Sequence, residues 1–381
     1  MKNYKNYVAA MTLGVLLAST GSGLTVYANT NTQQNTLNVE DQTEVEGEEA
    51  FVLTYEEALE KALKQSYDQK SLMETIDQLE EIRKQAAQGV RFIPYGPQGD
   101  ELAIRSLFGL RSTEINLQMA KKQEVTLEDM LAFKVRTEYD DIVKKKKEIE
   151  LQVKMIENVE KQLQQLSRKA GVGTASNYEH QVQLNKYNEE NQKKSALEQE
   201  LDNLYLKLNT TMGIDRTERY DVALEKEVEW MEDVNVDTHA KRMRSQHPSV
   251  WSQEQQIRLN ELDIQLHVFN SSDSPYEAKE SELRKSQIEL SSLKENIEQS
   301  VKSTYNQMKQ LETQYETMKI MLEKAENDRD MAQLRYDVGM GIALDVEMAE
   351  MPVTSIKNQM ETLLISYEQV RMMFEKPWLV V

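Results

Sequence analysis

The chain has four histidines, His180, His239, His247 and His267, and none is spaced as in H-E-x-x-H, which sets two metal ligands on one helical face. Cysteine is absent, so thiolate metal sites, thiol nucleophiles and disulfides are excluded. Gly171-Val172-Gly173 and Gly339-Met340-Gly341 lack the strand, loop and lysine of a phosphate-binding turn. No G-x-S-x-G elbow supplies a serine nucleophile. The sequence therefore predicts no enzyme, no metal and no cofactor. Lys144–Lys147 form a basic run followed by Glu148 and Glu150, which reads as a solvated helix face. With 65 Asp plus Glu against 46 Lys plus Arg and a net charge of -19, the mean field repels phosphate backbones, and no nucleic-acid partner is expected. Trp230, Trp251 and Trp378 lie outside the most regular stretches; they are expected to pin short helices, with an exposed partner contact as the alternative for Trp378.

Turns rather than catalytic groups are thus the informative features, and they are scarce. The 381 residues contain 13 Gly and 6 Pro, well below the usual ~7% and ~5%. Both are missing from residues 110–170 and 276–338, and each stretch is ~90 Å long if helical. The two glycine pairs end these stretches, and a further helical pattern follows each pair, to about residues 212 and 376. Apolar residues at alternating spacings of three and four run through Ala349, Val353, Ile356, Met360, Leu363, Tyr367, Val370 and Phe374, the pattern of a coiled-coil seam. Val301, Met308, Tyr315 and Leu322 recur every seven residues, and Ile149, Val153, Ile156, Val159, Leu163 and Leu166 form the corresponding row of the first half. Pro352 is expected to kink the last helix.

The halves read as an internal duplication. A shift of 168 sets Gly171 on Gly339 and Gly173 on Gly341, and a shift of 181 sets Ala58-Leu59 and Tyr67 on His239-Ala240 and Pro248. Residues 1–28, with Lys2 and Lys5 before the apolar run Val8–Leu17, have the layout of a secretory signal cleaved after Ala28, an uncleaved anchor being the alternative. Residues 29–50 form an acidic, flexible leader. A first helical repeat is expected over 51–212, a linker over 213–236 and a second repeat over 237–381.

Three segments carry a resemblance to the TolC-like outer-membrane efflux protein family: LTYEEALEKALKQSY at Leu53–Tyr67, AGVGTASNYE at Ala170–Glu179 and RYDVGMGIALDVEMAE at Arg335–Glu350. The resemblance implies an all-α protomer of two long antiparallel hairpins, three of which close a hollow α-barrel working with a membrane-fusion adaptor and an inner-membrane pump. It implies an adaptor-docking turn at Tyr336, Val338, Gly339, Met340, Gly341 and Ile342, matched by Ala170, Gly171, Val172, Gly173 and Thr174. Asp337 and Asp345 would be candidates for an acidic constriction at the tunnel mouth, with helix capping as the equal reading of those acids. The implied location is the cell envelope, at the outer membrane where one exists.

In one respect the chain departs from that family, whose members place two membrane strands inside each repeat. Membrane strands need ~9–11 residues each. The break at Asn270–Pro275 spans six residues, and the break from Gly89 to Gly109 lacks alternating apolar residues. Little or no β-barrel is expected. Either the envelope has no outer membrane, or the strands were lost while the helical tunnel remained. The sequence thus supports an efflux or secretion conduit, or an exported coiled-coil interaction protein that forms no channel.

Overall fold

The computed structural model describes residues 52–90, 92, 101–222, 230–232, 234–267 and 275–379. The expected signal and leader lie outside the described residues. Among the described residues, eight helices run in the order α1 (Tyr55–Gln65), α2 (Tyr67–Gly89), α3 (Glu101–Gly171), α4 (Asn177–Met212), α5 (Val236–Gln246), α6 (Pro248–Gln265), α7 (Tyr276–Asp337) and α8 (Ala343–Glu375). A single 3₁₀ turn, Pro377–Leu379, closes the described chain. Two residues each from β1 (Val52–Leu53) and β2 (Asp221–Val222) pair in parallel. The all-α class with little β structure is therefore observed.

The first repeat opens with two helices rather than one, because Ser66 leaves helical geometry and its Oγ caps α2 by accepting from the Gln69 N–H. Its counterpart breaks at His247, where Pro248 opens α6 at the first helical position, a place that needs no proline N–H. The shift of 181 matches the bounds of α1 and the start of α2 to the residue: Tyr55 on Val236, Gln65 on Gln246 and Tyr67 on Pro248. Residues 101–109, read from the sequence as part of a break, are the first turns of α3. Gly109 there has open space around it, so helix geometry tolerates it. Helix α8 continues through Pro352, whose side chain faces solvent.

Each repeat is a long helix flanked by a return helix at one end and a short pair at the other. Helix α3 packs against α4 and against α1 and α2; helix α7 packs against α8 and against α5 and α6. The repeats join along α3 and α8, and at the opposite end along α3 and α6. Ion pairs give the direction: Lys376–Asp129 at 2.5 Å, Lys147–Glu361 and Lys161–Glu347 at 2.6 Å step oppositely along α3 and α8. The two are antiparallel, and both hairpin turns lie at one end of a four-helix layer ordered α4, α3, α8, α7.

The α7/α8 seam follows the heptad reading. Val301, Met308, Val353, Ile356, Met360, Tyr367 and Phe374 are buried, each apolar side chain so buried contributing about 1.5–3 kcal/mol. Trp230 packs edge-on against Tyr315 and Tyr367, and the Trp378 Nε1–H donates to Asp129 Oδ2 at 2.8 Å, so these two indoles pin the linker and the C-terminal turn to the long helices rather than pinning short helices. The basic run is a correction. Lys144–Lys147 are half-buried and paired rather than solvated: Lys145 bonds Glu148 and Glu200, Lys146 bonds Asp221, and Lys147 bonds Glu361. They tie α3 to α4, β2 and α8 at one level of the layer.

Candidate functional site: the paired turns and the open edge

Both turns are built by the same backbone device. In the first, the Thr174 N–H donates to Lys169 O at 2.8 Å and the Gly173 N–H to Ala170 O at 3.0 Å. In the second, the Met340 N–H donates to Arg335 O at 2.7 Å and the Gly339 N–H to Tyr336 O at 3.0 Å. This pair of bonds satisfies the last carbonyls of a helix and requires a left-handed residue just after it. Gly173 and Gly339 supply it, with φ of 77° and 74°.

The structural equivalence is therefore Gly173 with Gly339, a shift of 166, and the shift of 168 is corrected. Gly171 is the last residue of α3, with open space around it, and matches Asp337. Gly341 lies beyond the turn; a Cβ there would sit 3.4 Å from the Arg335 Cβ. The sequence misled because each turn holds two glycines while only one, second in the first turn and first in the second, has positive φ.

The same shift sets Ser176 on Ile342 and Glu179 on Asp345, the starts of α4 and α8. Ser176 Oγ accepts from the Glu179 N–H at 3.2 Å, and the Glu179 carboxylate accepts from the Ser176 N–H at 2.8 Å, a complete capping box. Asp345 accepts from the Ile342 N–H at 3.1 Å, but Ile342 has no side-chain oxygen to return the bond. Asp345 is thus a helix-capping carboxylate here, and Asp337 accepts from the Gln333 amide at 2.8 Å. Both are exposed.

Replacing Ser176 by Ala is expected to cost about 1 kcal/mol of stability at the start of α4, and replacing Ile342 by Ser to add a similar amount at the start of α8. Amide exchange in the first turns of the two helices reads both effects. The Glu179 carboxyl is held below its usual range by the Ser176 backbone and hydroxyl. Its contribution is present above the unfolded-state pKa and is lost as pH falls through the lower folded value.

The two turns differ in surface. Around the second, Met331, Leu334, Tyr336, Val338, Met340 and Ile342 are all exposed, Met340 to 82%. The first offers Val172, at 75%, and Tyr178, between polar residues. Neighbouring exposed apolar side chains of this kind mark contact surfaces in soluble proteins. The sequence signal for this collar, apolar residues continuing past the end of the seam row, was present but does not separate a seam from a free face. Close to the turns, the Gln162 amide contacts Met348 Sδ at 3.4 Å beside the Lys161–Glu347 pair.

Three apolar side chains are exposed on one face of α7, set among polar residues that include Glu295, Lys302, Asn306 and Thr313. Ile288 and Ile320, each 70% exposed, and Met331 fall within about 40° of one another at ~100° per residue. They lie roughly opposite Ile297, Val301 and Met308, which face the protomer's own seam. The sequence intervals between α2 and α3 and between α6 and α7 are residues 90–100 and 266–275. Neither interval reaches the roughly 22–25 residues that two membrane strands and a turn require. Among the described residues, no helix is long and apolar enough to cross a membrane. No group of three or more His, Asp or Glu among them is placed to hold a metal ion.

No protein-family model matches the chain, and no curated protein matches it. Solved structures do. CusC aligns with a TM-score of 0.64 at 10% identity, over 92% of this chain and 98% of its own. A membrane protein from Pseudomonas aeruginosa aligns with a TM-score of 0.63 at 9% identity, over 85% of this chain and 93% of its own. The Campylobacter jejuni CmeC outer membrane channel aligns with a TM-score of 0.60 at 11% identity, over 92% of this chain and 94% of its own. At these identities the likeness is one of fold, and the chain has the TolC-like helical fold of outer-membrane channel proteins.

Proposed function

We propose that this chain is the protomer of a TolC-like efflux or secretion conduit, a homotrimer whose turns dock a membrane-fusion adaptor of an inner-membrane pump. The observation that carries the reading is the single four-helix layer with both glycine turns at one end, the exposed apolar collar at the second turn, and the exposed Ile288 and Ile320 on its outer helix. A layer with two open edges closes only by meeting copies of itself, and closed rings are the usual solution for such head-to-tail contacts. Docking would involve Gly171, Val172, Gly173 and Thr174 together with Tyr336, Val338, Gly339, Met340 and Gly341. Asp337 and Asp345 would ring the tunnel mouth. Cargo would pass without chemical change, and the export signal would deliver the chain to the cell envelope.

The two short intervals favour a second reading, an exported coiled-coil protein of the cell surface that forms no channel. Light scattering on residues 29–381 at several concentrations separates the two. The conduit predicts a stable species of three chain masses, and a concentration-independent monomer would overturn it.

A further inference from the structure

We infer that the cleft between α3 and α6 binds an uncharged saccharide chain. The cleft measures about 490 Å³ and lies where the two repeats meet, away from the turns. It is lined by Gln123 and Thr126 of α3 and by Ser249, Ser252, Gln253 and Gln256 of α6. These are six neutral hydrogen-bonding side chains, and Lys122 is the only charged residue in the lining. The composition is unusual for a chain in which 29% of residues are charged. The larger groove among α3, α4 and α8 is lined by Asp141, Lys144, Lys145, Lys147 and Glu148, all engaged in ion pairs.

Among the described residues, the side chains of Gln123, Ser249 and Ser252 make no hydrogen bond, so their donors and acceptors are open to a ligand. The other three are engaged and act as fixed walls: Gln253 donates to Ser286 O and Glu289, the Thr126 hydroxyl to Lys122 O, and the Gln256 amide to Asn260 Oδ1. Amides and hydroxyls each donate and accept, which matches a row of sugar hydroxyls. A cation would find no carboxylate in the lining and would meet Lys122. Met119 and Leu293 supply apolar surface for the C–H faces of a pyranose ring. Beside the cleft, Lys122 Nζ lies 5.0 Å from the centroid of the Trp251 ring, so displacing it uncovers an indole face and gives an optical signal. The α3 residues, at positions i, i+3, i+4 and i+7 from Met119, line one helical face, so the cleft follows the helix axis and suits an extended chain.

The test is calorimetric titration of the full chain with the tetramers of N-acetylglucosamine, glucose in β-1,4 linkage and glucose in α-1,4 linkage, with tryptophan fluorescence followed in parallel and compared with that of a Trp251→Phe variant. At least one should bind saturably with a Kd of millimolar or below and shift the emission. Ser252→Arg should weaken it at least tenfold. Gln123→Arg, at an exposed position without internal contacts, should do the same and keeps the test open if the first variant misfolds. Absence of saturable binding by all three sugars, binding unchanged in a folded variant, or occupation of the cleft by inorganic phosphate in their place would each overturn the inference. A trimer that ignores sugars would sink this inference alone, and a monomer that binds them would sink only the conduit.

Discussion

Replacing Asn209 by Ala is expected to lower the unfolding free energy by about 2–4 kcal/mol, because several buried groups lose their partner at once. Asn209 is fully buried near the end of α4. Its Nδ2 donates to Asp215 O at 3.1 Å and Glu218 O at 2.9 Å, and its Oδ1 accepts from the Tyr220 hydroxyl at 2.8 Å. The Tyr205 hydroxyl donates to Tyr220 O at 2.7 Å, and the two rings meet edge to face. This knot folds the chain after Gly213 back onto α4 and delivers Asp221–Val222 to the strand at Val52–Leu53. That strand is in turn held by the Tyr139 hydroxyl donating to Leu53 O at 2.9 Å. Tyr205→Phe removes one bond and leaves the amide network intact, so about 1 kcal/mol is expected from it. Urea unfolding followed by circular dichroism measures both, and an Asn209→Ala midpoint equal to that of the parent chain would show that the knot adds nothing to the fold.

Much of this architecture was legible because helical periodicity is a strong signal over sixty uninterrupted residues. The rows through Val301 and Met308 and through Val353, Ile356, Met360, Tyr367 and Phe374 are buried as their spacing predicts. The shift of 181 is exact at the break between the short helices, since Ser66 and His247-Pro248 are local stop signals that act within a few residues. The 166 register of the turns was not legible. Glycine identity says nothing about which glycine has positive φ; that depends on where the hydrogen bonds of the preceding helix run out.

The basic run at Lys144–Lys147 was misread for a related reason. Charge periodicity on one helix cannot reveal that Glu200, Asp221 and Glu361 converge on it from three other elements. Asn209 carried no sequence signal at all, because its value lies in carbonyls six to nine residues further on. For the turns, the S-x-x-E box at Ser176–Glu179 was readable from spacing, whereas the uncapped Ile342 becomes meaningful only beside it.

Replacing both Ile288 and Ile320 by Arg is expected to dissociate the proposed assembly while leaving the protomer folded. Each side chain is 70% exposed and roughly opposite the α7/α8 seam, so neither contributes much to the protomer's own core. In a closed ring the outer face of α7 would meet the free edge of the next copy, and each isoleucine buried there would contribute about 1.5–3 kcal/mol. Losing two of them, roughly 4 kcal/mol together, corresponds to about three decades in the dissociation constant of each contact. Arginine adds the cost of desolvating an unpaired charge. Sedimentation velocity of parent and variant, with thermal unfolding of each in parallel, reads assembly and folding separately. Trimers giving way to monomers with an unchanged melting curve would place Ile288 and Ile320 at the contact. A variant that stays trimeric would mean that the ring closes through other surfaces, and the two isoleucines would then be free for a partner that is not a copy of this chain.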